Sequence, residues 1–76
     1  MPKKKKIILT KHAQERMNKR NVTLDDIRTT IEHPTNKLPI AKDNTQEFKR
    51  KVDNKETFVV VEHKGKEVLI ITVGWS

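Results

Sequence analysis

Residues 56–74 read ETFVVVEHKGKEVLIITVG, and this stretch decides the fold because it encodes two apolar strands around a turn. The arms 56–63 and 67–74 are rich in β-branched residues, which favour strands. Gly65 lies in the four-residue turn 63–66 that joins them, and a glycine suits a tight hairpin. The stretch therefore predicts an antiparallel hairpin at the end of the chain.

The last strand has apolar side chains on both of its faces. Strict alternation along a strand divides its residues into two sets. Because helices can cover only one face of the sheet, we expect the other face to contact a protein partner or a second copy of the chain. One set is Val68, Ile70 and Thr72, and the other is Leu69, Ile71, Val73 and Trp75.

Upstream of the hairpin, residues 46–52 predict a further strand, and Leu38 and Ile40 alternate with polar neighbours as in a short one. In the strand 46–52, Arg50 falls on the same face as Phe48, the apolar side. Two interpretations stay open for Arg50. Either the aliphatic part of its side chain is buried while the guanidinium reaches solvent at the edge of the sheet, or the guanidinium is a phosphate ligand.

The first half of the chain predicts two helices. Thr10 is a good N-cap for a helix that runs to about Arg20, and Thr23 begins a second helix that ends before Pro34. Residues 7–9 form either a short strand or a lead-in. The predicted fold is therefore α+β, with two N-terminal helices packed on one face of a three- to four-stranded antiparallel sheet. The second helix is expected to pack Leu24, Ile27 and Ile31 on one sheet face, against Phe58, Val60 and Ile70 or their neighbours.

Composition limits the class of protein. Seventeen Lys and Arg against ten Asp and Glu give a net charge of +7, which makes a polyanion such as RNA the expected partner, although the charge could serve solubility alone. The chain has no cysteine and no apolar run of membrane-spanning length, so we expect a cytoplasmic protein without membrane contact. We expect a basic N-terminal arm at residues 1–6 and a single α+β domain at residues 7–76.

The first predicted helix, KHAQERMNKR, offers just Ala13 and Met17 to a core. His12, Arg16 and Arg20 form the neighbouring ridge, because they recur every fourth residue. An imidazole at the start of such a helix suits proton abstraction from a ribose 2′-hydroxyl. A solvated helix face explains the same pattern.

No His or Cys spacing suits a metal, and no glycine-rich motif suits a cofactor, so neither is expected.

Three features of the sequence resemble the small domain-of-unknown-function 4258 family. They are the HAxxRMxxR helix, the short helix that ends near Pro34, and the closing strand with its threonine. That family is similar to the RelE-like and BrnT-like toxins, in which helices on an antiparallel sheet support endoribonucleases with basic sites. The resemblance places His12, Arg16 and Thr72 at signature positions, whereas Arg50 comes from the strand pattern. Many RelE-like sites use a C-terminal tyrosine, and this chain has no tyrosine.

These observations lead to the hypothesis of a small metal-independent endoribonuclease of the toxin (mRNA interferase) type. His12 would act as the base, with Arg16, Arg50 and Thr72 completing the catalytic set. Two alternatives stay open: a non-catalytic nucleic-acid-binding module, and a protein-interaction domain that engages an acidic antitoxin, a host factor or itself through the second sheet face. The expected RNA contacts are Lys11, Lys19, Arg20, Lys49, Lys51 and Trp75.

Overall fold

The computed structural model describes residues 6–75, so the predicted basic arm, apart from Lys6, lies outside the described residues, as does residue 76. The described chain folds into two helices and a five-stranded mixed sheet. None of its helices is long and apolar enough to cross a membrane. The helices are α1 (Lys11–Arg20) and α2 (Leu24–Glu32), and the strands are β1 (Lys6–Leu9), β2 (Asn36–Lys37), β3 (Thr45–Val52), β4 (Lys55–Lys64) and β5 (Glu67–Trp75).

Both helices begin where their capping residues predict. The Thr10 hydroxyl accepts a hydrogen bond from the Ala13 N–H, which satisfies one of the free donors at the start of α1. Thr23 and Asp26 form a complete capping box at the start of α2. Asn21 ends α1 in the left-handed conformation at φ 56°, which asparagine tolerates better than most residues. The predicted pair of helices is confirmed.

The sheet has the strand order β1-β5-β4-β3-β2 and differs from the expected three to four antiparallel strands. Strands β2 to β5 pair antiparallel, but β1 pairs parallel to β5, with Ile7 beside Val68 and Leu9 beside Ile70. Residues 7–9 are thus a strand rather than a lead-in. The strand expected around Leu38 and Ile40 is just two residues long and lies at Asn36–Lys37. The side chains of Leu38 and Ile40 are exposed.

The core lies between the helices and one face of the sheet, where α1 covers β5 and α2 covers β3 and β4. Ile27 of α2 is fully buried, whereas Leu24 is 40% exposed at the start of that helix. The described core consists of Ala13, Val22, Ile27, Phe48, Val59, Val61, Val68, Ile70 and Val73, with Ile7, Leu9, Met17 and Ile31 packed against it.

A β-bulge in β5 changes which side chains face the helices. The register between β4 and β5 shifts after Val60, so Val60 pairs with Thr72 while Val61 pairs with Ile70. The extra residue, Ile71, puts Val73 on the helix side together with Ile70. The prediction that side chains alternate strictly along β5 is therefore wrong beyond Ile70. Phe58 and Val60 alternate with buried Val59 and Val61 and lie on the opposite face, so their neighbours rather than these two residues face the helices.

Candidate nucleic-acid interface

Helix α1 carries the largest net positive charge among the described helices and strands. It has four basic residues against the single acidic Glu15, whereas α2 has Asp25, Asp26 and Glu32 against the single basic Arg28. Ala13 is the one fully buried residue of α1, so the rest of the helix surface is open or half-open to solvent. The exposed basic residues of α1 are Lys11, Lys19 and Arg20.

His12 and Arg16 lie one turn apart on the flank of α1. The His12 side chain is exposed in the first turn, close to the Thr10 cap. Arg16 is half-buried, and its Nε atom is covered by the protein without any acceptor among the described residues. A covered guanidinium nitrogen that lacks an acceptor carries a desolvation cost, which an anionic ligand at the remaining nitrogens can offset. The pair therefore offers an imidazole beside an incompletely satisfied guanidinium.

The structure places Arg50 far from His12. The hydroxyl and N–H of Thr10 lie at the carbonyl of Ile70, so α1 begins beside that residue. Arg50 of β3 pairs with Thr57 of β4, which pairs in turn with Trp75 of β5. Trp75 lies five residues beyond Ile70 along β5, and Arg50 lies two strands away from β5. Strand geometry makes these separations roughly 16 Å and roughly 10 Å. His12 and Arg50 are not brought together.

Arg50 instead lines a cleft of about 490 Å³ between α2 and the turn that joins β3 to β4. Its Nη1 donates a 2.6 Å hydrogen bond to the carbonyl of His33, which follows the last turn of α2. A cation at this end of a helix interacts favourably with the helix dipole. The cleft was not foreseen from the sequence. It is lined by Asp25, Asp26, Thr29, Thr30, Arg50, Val52, Asp53, Lys55 and Thr57.

Three other candidate residues lie on the sheet face that points away from the helices. Thr72 pairs with Val60 and precedes buried Val73, so it projects from the face opposite α1. Lys49 and Lys51 alternate with the helix-side residues of β3 and project the same way. The sheet thus separates Thr72, Lys49 and Lys51 from the α1 surface.

Trp75 joins the end of β5 to the end of α1. Its indole N–H donates a hydrogen bond to the main-chain carbonyl of Arg20. The Lys55 ammonium lies 5.0 Å from the centroid of the Trp75 ring, within the range of a cation–π interaction. The ring is still 41% exposed, so part of it remains open for stacking on a base.

No group of His, Cys, Asp or Glu suited to a metal ion occurs within residues 6–75. One carboxylate has a perturbed acidity. The Thr45 hydroxyl and the Thr45 N–H both donate to Asp43, and these hydrogen bonds lower the pKa of that exposed carboxyl below its ordinary value of 3.8. Asp43 lies in the turn before β3, so this shift belongs to the turn.

The family described as Domain of unknown function (DUF4258) has a model that matches residues 9–75. No curated protein and no solved structure gives a significant match to the chain. The matched residues run from the end of β1 to the end of β5 and include both helices. The chain therefore belongs to the DUF4258 family.

Proposed function

We propose that this protein binds RNA, with α1 contacting the phosphate backbone. The observation that carries the proposal is the contrast between the two helices: α1 has four basic residues to one acidic residue, while α2 has the opposite excess. Backbone phosphates attract such a basic surface and release counterions when they bind it. The exposed part of Trp75 adjoins the end of α1, where an unpaired base could stack on it.

The experiment measures the affinity for a single-stranded RNA oligonucleotide over a range of salt concentrations. Each phosphate contact contributes roughly 0.7 to the log–log slope for a single strand. Replacing Lys19 and Arg20 together by Gln is expected to lower this slope by roughly 1.4, provided that each side chain contacts one phosphate.

The matched control is Arg28→Gln combined with Lys37→Gln. Both residues are exposed, and their loss changes the net charge equally but outside α1. The slope of this control should stay close to the wild-type value. An equal loss of slope in both double variants would mean that RNA responds to the overall charge, and the assignment to α1 would then be wrong.

A second candidate function is metal-independent RNA cleavage at the same surface, which is what the resemblance of the sequence to RelE-like and BrnT-like toxins implies. It is favoured by the covered, acceptor-free Nε of Arg16 one turn from the exposed His12. In this proposal His12 takes the proton of a ribose 2′-hydroxyl, and the oxygen then attacks the adjacent phosphorus. The Arg16 guanidinium stabilises the additional negative charge, the bond from phosphorus to the 5′-oxygen breaks as the cyclic phosphate forms, and the departing 5′-oxygen takes a proton from solvent water to become a hydroxyl.

Cleavage is tested by incubating RNA with the protein in EDTA and identifying cyclic phosphate ends. His12→Ala should lower the rate by roughly 10²- to 10⁴-fold while leaving RNA affinity unchanged, as expected for a proton-transfer group. His33→Ala is the control, because His33 is also an exposed histidine at a helix end. If the wild-type protein binds RNA without cutting it, binding is the whole function. An acidic protein that competes with RNA for α1 would support an antitoxin-like partner.

A further inference from the structure

The sheet has one face that no described element covers. Both helices pack on the other face, against the buried residues of β3, β4 and β5. We call the uncovered side the outer face and define it by the side chains that alternate with the buried ones. Its members are Lys6 and Ile8 of β1, Asn36 of β2, Thr45, Glu47, Lys49 and Lys51 of β3, Glu56, Phe58, Val60, Glu62 and Lys64 of β4, and Glu67, Leu69, Thr72 and Gly74 of β5.

An apolar stripe crosses the middle of the outer face. Ile8 lies beside Leu69, and Val60 and Phe58 continue the stripe on the next strand. The Phe58 ring lies across Gly74, where an added Cβ would stand 2.6 Å from the ring carbon Cζ. The ring therefore occupies the space that a side chain at position 74 would fill, and Phe58 lies directly against β5. An apolar surface of this kind suits contact with another protein surface.

The charges of the outer face cancel. Four glutamates (Glu47, Glu56, Glu62 and Glu67) face outward together with four lysines (Lys6, Lys49, Lys51 and Lys64). Residues 6–75 hold fourteen Lys and Arg against ten Asp and Glu, so the excess positive charge of the described chain lies away from this face. Two copies that met through α1 would set one basic helix against another. The outer face is a surface through which two such basic chains can approach without that repulsion.

The area of the outer face is sufficient for a specific dimer. The 31 residues of β1, β3, β4 and β5, at about 3.3 Å each along strands about 4.8 Å apart, describe a surface of roughly 500 Å². Two copies would bury roughly 1,000 Å² together, which is about the least that a specific interface buries.

We propose that the outer face binds the outer face of a second copy of this chain, giving a two-fold symmetric dimer. The two sheets pack about 10 Å apart, with one apolar stripe against the other, and the α1 helices point to opposite sides of the dimer. This inference is independent of the proposed RNA binding, since α1 lies on the other side of the sheet.

Sedimentation velocity of the nucleic-acid-free protein over a concentration series tests the dimer. The wild type should approach twice the monomer mass of 8.9 kDa as its concentration rises. Val60→Lys puts a charge in the apolar stripe twice per dimer and should raise the dimer dissociation constant by at least about tenfold. Val52→Lys is its control, because Val52 is an exposed strand valine on the helix side.

A second pair of variants keeps the test decisive if Val60→Lys disturbs folding, which circular dichroism would reveal. Glu62→Lys makes the outer face basic and should also dissociate the dimer. Glu15→Lys changes the net charge equally on exposed α1 and should leave the dimer intact. A wild type that stays monomeric at every concentration overturns the proposal. Equal dissociation by Glu62→Lys and Glu15→Lys also overturns it, since bulk charge would then explain the effect.

Discussion

The indole N–H of Trp75 donates to the main-chain carbonyl of Arg20, so the last described residue of the sheet is bonded to the last residue of α1. At the other end of the same helix, the Thr10 hydroxyl donates to the carbonyl of Ile70. Helix α1 is therefore attached to β5 at both ends, although Ala13 is its one fully buried residue. These two contacts explain how such a polar helix is held on the sheet.

Replacing Trp75 by Phe removes the N–H donor and keeps an aromatic ring. One hydrogen bond is worth about 1 kcal/mol net, and we expect the free energy of unfolding in urea to fall by about that amount. Lys55→Met is the control for the cation at the ring and should cost less than about 1 kcal/mol. Unchanged stability in Trp75→Phe would mean that the bond to Arg20 does not hold α1 in solution.

Replacing Thr10 by Val removes two hydrogen bonds at once. The Ala13 N–H loses its cap, and the Ile70 carbonyl loses a donor at 2.6 Å. Loss of an N-cap costs about 1 kcal/mol, and the second bond adds about 1 kcal/mol, so chemical denaturation should show a loss of about 2 kcal/mol. Thr10→Ser retains the hydroxyl and should recover most of this stability. If Ser is as unstable as Val, the threonine methyl group matters rather than the hydroxyl.

Replacing Ile27 by Ala tests which residue of α2 contributes most to the core. Ile27 is fully buried beneath the helix, and truncation of such a side chain costs about 2–5 kcal/mol. Leu24→Ala on the same helix removes a side chain that is 40% exposed and should cost clearly less. Comparing the two unfolding midpoints measures the difference. Equal losses would contradict the orientation of α2.

The helices could be predicted because their determinants are local in sequence. Thr23 and Asp26 are three residues apart, and the spacing of Ile27 and Ile31 identifies the buried side of α2. The sheet could be predicted less completely. The parallel pairing of β1 with β5 joins residues about sixty positions apart, and the bulge at Ile71 depends on the register with β4. Neither is visible in periodicity, which assumes that alternation continues unbroken.

The candidate site shows the same division between local and distant relationships. His12 and Arg16 could be placed together because a helix brings positions i and i+4 to one side. Placing Arg50 beside them required the order and direction of three strands, and the structure puts it in another part of the molecule. The cleft between α2 and the β3–β4 turn depends equally on tertiary packing, so no sequence motif indicated it.

The acidity of Asp43 should depend on the hydroxyl of Thr45. That hydroxyl donates at 2.6 Å and is the largest cause of the lowered pKa, followed by the Thr45 N–H. Thr45→Val should raise the pKa of Asp43 toward 3.8, as measured by NMR titration of its carboxyl carbon, while Thr45→Ser should not. A carboxyl whose pKa is lowered by folding stabilises the protein at pH values above the ordinary pKa of that carboxyl. This contribution disappears as the pH falls through the pKa of the folded state. The wild type should therefore keep this contribution to lower pH than Thr45→Val.

Arg50 and Arg16 should respond differently to the same substitution. Arg50 donates to the His33 carbonyl at 2.6 Å, so Arg50→Gln should lower the unfolding free energy by about 1 kcal/mol and leave the salt slope of RNA binding unchanged. Arg16→Gln removes the same charge from α1 and should lower that slope by roughly 0.7, because a phosphate contact is lost.

The unfolding free energy is measured by denaturation and the salt slope of RNA binding by RNA titration, each for Arg50→Gln and for Arg16→Gln. If Arg50→Gln lowers the salt slope as much as Arg16→Gln does, Arg50 contacts phosphate, as its strand position suggested, and the RNA surface extends from α1 across the helix-covered side of the sheet. If neither variant changes the slope, the phosphate contacts lie on other basic residues, and the covered Nε of Arg16 is a feature of the packing of α1 on β5.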